Sequence, residues 1–227
     1  MSKLFITGDT HGNIDIDKLA IKKFPFQKEL TKNDILVVLG DWGAIWYGNK
    51  KDNYMIDWWN NKPWTTFVVL GNHCNYNAIE QLPKITMFGG LVRKVTNSVF
   101  IAITGEIYDF AGKKCLVING ADSTDKQYRV EGESWWRQER ITPDDTIKAL
   151  KSLYEVDGIV DFVFSHTGGS EVVKTLGFNV TPSDIELDKI LNTATYQKHY
   201  CGHYHIDKLI DTTRILYDDI IMIACDD

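Results

Sequence analysis

Three short runs without a polar residue constrain this chain most: Leu4-Phe5-Ile6, Ile35-Leu36-Val37-Val38-Leu39 and Phe67-Val68-Val69-Leu70. A strand with one face in water alternates apolar and polar residues, so continuous runs belong to strands covered on both faces. Each run leads into a glycine followed by Asp or Asn: Gly8-Asp9, Gly40-Asp41 and Gly71-Asn72. Between the runs, residues 14–24 read as a helix stopped near Pro25, and residues 51–60 as another stopped before Pro63. That alternation is βαβαβ, which implies a parallel sheet with right-handed crossovers.

From residue 87 to 119 the texture changes to short β-like runs, with a hairpin turn over residues 109–113. A helix over 142–154 follows, with Thr142 as N-cap and Pro143 at its first position. Asp161-Phe162-Val163-Phe164 then reads as a buried strand that delivers Ser165-His166, residues 182–192 read as helix, and 206–223 as strand again. The expected fold is α/β, with two packed mixed β-sheets flanked by helices, in a single domain over residues 1–227.

Composition narrows the function classes. The 44% hydrophobic and 25% charged shares are those of an ordinary globular chain. A net charge of −6 without runs of like charge argues against binding of long nucleic acid. No stretch is long enough to span a bilayer, and the first motif begins at Gly8, which leaves no room for a signal peptide. Cys74, Cys115, Cys201 and Cys225 form no CxxC pair and read as reduced thiols, so a cytoplasmic location is expected.

Five segments carry the chemistry: GDTHG, GDWG, GNH, SHTGG and GHYH, each at or near the exit of an apolar run. They place Asp9, His11, Asp41, Asn72, His73, His166, His203 and His205 where strands should end, and strand ends in open α/β sheets are where ligands gather. A mixed set of carboxylate, amide and imidazole donors suits divalent ions, Mn²⁺ first, with Fe²⁺ or Zn²⁺ as alternatives. Two such ions side by side make a phosphoryl-transfer site.

In this order the motifs resemble the calcineurin-like metallophosphoesterases, whose pattern is D-x-H, G-D, G-N-H-[DE], an isolated His and G-H-x-H. Here it is met by Asp9-Thr10-His11, Gly40-Asp41, Gly71-Asn72-His73, His166 and Gly202-His203-Tyr204-His205. The resemblance implies an αββα sandwich and a dinuclear centre. Asp9, His11, Asp41 and His205 would hold one ion; Asp41, Asn72, His166 and His203 would hold the other. It also implies hydrolysis of a phosphoester, as phosphatase or phosphodiesterase, by in-line attack of a hydroxide shared by the ions. His73 is spare in that count and is placed to protonate the leaving oxygen.

Two residues depart from the pattern. Cys74 follows the GNH motif where the family has Asp or Glu, and Glu80 and Asp122 are the acids considered as stand-ins. The second motif lacks the Asp-Arg-Gly of the protein phosphatases, so a phosphate-gripping arginine would come from elsewhere: Arg93, Arg129 or Arg137, with Arg93 taken as the candidate. Trp46 and Trp136 are the candidate substrate-binding aromatics, Trp42 reads as either wall or core, and His199 reads as an exposed strand residue. Expected substrates are a phosphorylated small molecule, a nucleotide or a phosphoprotein. The competing reading is a catalytically silent binding module on the same fold, which only Cys74 favours.

Overall fold

The computed structural model describes residues 2–223. Strands β1 (Leu4–Thr7), β2 (Ile35–Leu39) and β3 (Thr65–Val69) carry the three apolar runs, and every residue in them is buried. They run parallel in register, Leu4 beside Ile35 and Ile35 beside Thr65. Next come β4 (Lys84–Met87), β5 (Gly90–Lys94) and β6 (Val99–Ala102), of which β6 pairs parallel with β3.

A second sheet starts with the hairpin of β7 (Ile107–Phe110) and β8 (Lys113–Ile118). Its tight turn uses the positive φ of Ala111 and Gly112. The sheet continues with β9 (Phe162–Ser165), β10 (Lys198–Cys201), β11 (Lys208–Ile210) and β12 (Thr213–Ile215). The final strand, β13 (Ile220–Ile223), returns antiparallel to β1. Among the described residues the result is a seven-stranded sheet, β13-β1-β2-β3-β6-β5-β4, and a six-stranded one, β11-β12-β10-β9-β8-β7, both mixed.

The sheets face each other across one core. Leu4, Ile6, Val37, Phe67 and Val69 of the first sheet meet Tyr108, Phe110, Val117, Phe164 and Tyr200 of the second. Phe67 packs edge-on against its partners in this layer, 4.7 Å from Tyr108 and 4.8 Å from Phe110, an arrangement their quadrupoles favour. Helices α1 (Asn53–Asn60) and α2 (Tyr76–Glu80) follow β2 and β3. Trp59 and Ile79 from these helices pack with Phe5, Val38 and Val68 on the outer face of the first sheet.

On the second sheet, α3 (Pro143–Tyr154), α4 (Ser170–Thr175) and α5 (Pro182–Leu191) do the covering. Helices α3 and α5 both start with Thr at the N-cap, Pro at the first position and Asp three residues on. Each forms a capping box in which side chain and backbone satisfy each other.

One expected element is different. Residues 14–24 form no α-helix; a 3₁₀ turn over Ile16–Leu19 ends at an extended Ala20, and a second spans Pro25–Lys28. The cause is tertiary. The short turn buries the amine of Lys18, which donates to the carbonyls of Asp9 (2.6 Å) and Tyr217. That demand outweighs helical propensity.

Candidate metal centre

Five strand exits from the two sheets open at one end of the sandwich. Past β1 come Asp9 and His11, past β2 Asp41, past β3 Asn72 and His73, past β9 His166, and past β10 His203 and His205. Ligand atoms of Asp9–His11–His205, of His11–Asp41–His73 and of Asp9–Asp41–His166 each fall within 4.8 Å of one another. Asp9 and Asp41 thus each belong to two overlapping groups. His203 joins through its ring, 4.8 Å from that of His166, and Asn72 Oδ1 lies 3.1 Å from His166 Nε2.

The backbone is bent to achieve this. His11, Asp41, His203 and His205 all sit in the left-handed region, at φ 43°, 44°, 71° and 51°. Each costs on the order of 1–3 kcal/mol and persists only where the surroundings dictate it, which is typical of functional sites. Two glycines admit the side chains closely. A Cβ on Gly40 would lie 1.9 Å from His166 Nδ1, and one on Gly202 would lie 2.3 Å from Asp9 Oδ1.

The electrostatics call for positive charge. His166 Nδ1 donates to the carbonyl of Leu39 at 2.8 Å, which leaves Nε2 facing Asn72 Oδ1 at 3.1 Å and Asp41 Oδ1 at 3.4 Å. Those three atoms are all acceptors unless a proton or cation stands among them. Asp9 Oδ2 is buried and accepts no well-formed hydrogen bond, although His205 Nε2 lies 3.2 Å away. Burial alone would raise the Asp41 carboxyl, yet His166 and His11 hold it well below the ordinary range. Burial likewise opposes the charge on His166, yet Asp41 and Asp9 lift its pKa to about 9. Carboxylate, amide and imidazole donors around an orphaned oxygen fit divalent cations.

Around these residues stand partners that orient them. Asp15 Oδ2 meets His11 Nδ1 at 2.6 Å and leaves Nε2 toward Asp41, 3.3 Å away. Tyr217 stacks on His205, ring centroids 4.7 Å apart. Asn72 donates through Nδ2 to Ser123 Oγ (3.2 Å), which donates to Glu139 Oε2 (3.0 Å); this chain turns the amide oxygen of Asn72 inward. The His73 backbone N–H donates to Asp41 Oδ1 at 2.7 Å, and its half-buried ring has Arg129 and Trp46 as neighbours. Burial lowers the His73 pKa; Asp41 opposes that and Arg129 adds to it.

Several sequence expectations are corrected. Arg93 is not at this cluster: its guanidinium donates to the carbonyls of Glu80 (2.7 Å) and Leu82 (3.3 Å) in a separate cavity with Tyr76 and Asn119. Arg137 is exposed and pairs with Glu131. Of the three arginines weighed, Arg129 is the one at the site, held by Asp125. Neither Glu80 nor Asp122 meets His73; Asp122 is taken up by Arg140 and Ser183.

Trp136 is 1% exposed and lies in the core, touching Trp46 edge-on at 5.4 Å; Trp42 is core as well, and Trp46 is half-buried beside His73. Cys74 is buried, and burial drives its thiol pKa up rather than down. Cys115 and Cys201 are also buried, whereas Cys225 lies outside the described residues.

His199 is fully buried, bonded to Ser165 Oγ at 2.6 Å and Thr213 Oγ1 at 3.1 Å. Among residues that sequence reasoning passed over, Asp15 carried a signal, since it lies four positions after His11. Lys18, Ser123, Glu139 and Tyr217 reach the site only through tertiary contacts.

The sequence model of the calcineurin-like phosphoesterases matches residues 2–207, and the chain belongs to that family. No curated protein matches it in sequence. Among solved structures, it is similar to a crystal structure of a protein of unknown function from Aquifex aeolicus. The two share 15% identity over 84% of this chain and 94% of that one, with a TM-score of 0.37. No helix among the described residues is long and apolar enough to cross a membrane.

Proposed function

We propose that this protein is a phosphoester hydrolase working with two divalent cations, Mn²⁺ as the first candidate and Fe²⁺ or Zn²⁺ as alternatives. Membership of the family supports a hydrolase. The observation that carries the reading is the pair Asp9 and Asp41, each shared between overlapping ligand groups, with Asp9 Oδ2 orphaned among histidines. Asp9, His11, Asp41 and His205 would hold one cation, and Asp41, Asn72, His166 and His203 the other. When bound, the cations supply Lewis-acid activation of water and neutralise phosphate charge.

The chain's own residues do the rest. Asp15 and the Leu39 carbonyl fix the ring orientations of His11 and His166. His73, anchored through its N–H to Asp41, gives a proton to the departing oxygen. The substrate is a phosphorylated small molecule, a nucleotide or a phosphoprotein. Buried thiols at Cys74, Cys115 and Cys201 suit a reducing compartment, the cytoplasm.

Chelation should abolish hydrolysis of p-nitrophenyl phosphate, and Mn²⁺ should restore it. Asp41→Asn should lose at least one cation by elemental analysis. Full activity of the metal-stripped protein would end this reading.

A further inference from the structure

The ligand cluster is a shared wall between two cavities. One, of about 470 Å³, opens beside His203 and His205 and is walled by Tyr204 and Phe178. The other, of about 330 Å³, opens beside His11 and His73 and is walled by Trp46 and Tyr47. Each is large enough for a small organic group.

The first wall is built in advance. The Tyr204 hydroxyl is fixed by Thr167 Oγ1 and by the N–H of Gly168, both at 2.9 Å. Phe178 stacks on Tyr204 at 5.9 Å and is 58% exposed, so its outer face is open to a planar group. The second wall is also held in place. The Trp46 backbone N–H donates to Asp52 Oδ1 (3.3 Å), and the indole ring rests against Trp136 and His73.

We propose that the substrate is a phosphodiester with an organic group on each side of phosphorus, one arm in the Tyr204–Phe178 cavity and the other in the Trp46–Tyr47 cavity. This rests on the phosphoesterase reading above and adds the substrate class. A monoester has a single organic group and would fill one cavity, leaving the other aromatic wall unused.

His73 stands on the Trp46 side, which sets the direction of cleavage. A water oxygen bonds to phosphorus, and the P–O bond to the Trp46-side arm breaks with its electron pair. The His73 proton goes to that departing oxygen, and the proton released by the attacking water replaces it. The products are an alcohol from the Trp46 side and a monoester whose organic group remains in the Tyr204–Phe178 cavity. Diester plus water balances monoester plus alcohol.

The test uses three substrates with one leaving group: p-nitrophenyl phosphate, methyl p-nitrophenyl phosphate and bis(p-nitrophenyl) phosphate, assayed with Mn²⁺. The expected order of kcat/KM places the bis ester first, ~10-fold or more above the methyl ester, the worth of one stacked ring. Phe178→Ala should shrink that bis-to-methyl ratio to within about threefold by removing the ring.

Calorimetry gives a second readout. Diphenyl phosphate should bind the metal-loaded protein ~10-fold more tightly than methyl phenyl phosphate. Equal handling of the methyl and bis esters, or a kcat/KM highest for the monoester, overturns the two-armed substrate while leaving phosphoester hydrolysis standing. Hydrolysis of none of the three overturns both.

Discussion

Arg129 lies against the imidazole of His73, its terminal nitrogens 3.3 Å from Nδ1 and 3.1 Å from Nε2. A neutral imidazole offers a single acceptor, so one of these contacts is a hydrogen bond donated by the guanidinium fork and the other a close approach. Asp125 holds the other end, accepting from Nε at 2.9 Å and from a terminal nitrogen at 2.8 Å. Where relatives of the motif place a carboxylate after the GNH histidine, this chain places a cation beside its ring.

The first prediction follows from that contact. With Arg129 changed to Ala, His73 loses its support, and turnover of alkyl phosphoesters should fall by ~10-fold or more. Nitrophenyl esters, which need little protonation on leaving, should fall less. Arg129→Lys should not rescue the alkyl substrates, because an ammonium lacks the planar fork that meets His73 and Asp125 together. Equal losses on both substrate types would mean that Arg129 does not act through His73.

Cys74 gives the second. Its side chain is 2% exposed and belongs to the apolar cluster that holds Trp42, Ile45 and Ile79. Restoring the family's acid by Cys74→Asp would therefore put a carboxylate into an apolar layer at a cost of about 3 kcal/mol or more. Urea unfolding should show that loss, while Cys74→Ala should be far milder. An Asp variant as stable as the native protein, with a raised pH optimum, would show that the acid does reach His73.

The parts of this protein that could be read from sequence are those whose cause is local. Continuous apolar runs ending in glycine specify β1, β2 and β3, and Thr-Pro with Asp three positions on specifies the start of α3. The motif order alone singles out the eight residues at the strand exits. What was not legible depends on distance along the chain. Arg129 is 56 residues from His73, and nothing around it marks it apart from Arg93 or Arg137. Trp46 and Trp136 look alike in sequence, and only the packed structure makes one half-buried and the other core. His199 sits in Lys198–Cys201, where the polar residue suggests an outward face; its partners lie 34 and 14 residues away.

His199 supplies the third prediction, on pH. Ser165 Oγ donates to the carbonyl of Thr167 at 2.6 Å, so Nε2 of His199 donates to Ser165 and Nδ1 accepts from Thr213. That is a neutral ring, and burial lowers its pKa to about 3 from 6.5. The folded state thus binds fewer protons than the unfolded one between those values. Stability from this group is intact above pH 6.5 and is lost as pH falls toward 3, about 2 kcal/mol of it between pH 7 and pH 5. His199→Gln should shrink the pH 7 to pH 5 difference in urea unfolding by about that amount. The same difference in wild type and variant would show that His199 is not buried neutral.

The last prediction separates the two tryptophans that meet edge-on. Trp136 is 1% exposed in the cluster with Trp42, Leu70 and Tyr76, and its indole N–H has no hydrogen-bond partner. Trp136→Ala should therefore cost about 3–5 kcal/mol through the cavity it leaves. Trp136→Phe should cost much less, since it also removes an unsatisfied buried donor. Trp46, half-buried and lining the cavity beside His11 and His73, should behave differently. Trp46→Ala should lower stability by less than Trp136→Ala and raise KM for aryl phosphoesters by ~5-fold or more, the loss of a stacking face. Unfolding measured alongside steady-state kinetics distinguishes the outcomes: a Trp46 variant that loses stability like Trp136→Ala, with KM unchanged in the folded fraction, would make both residues core and move the substrate wall elsewhere.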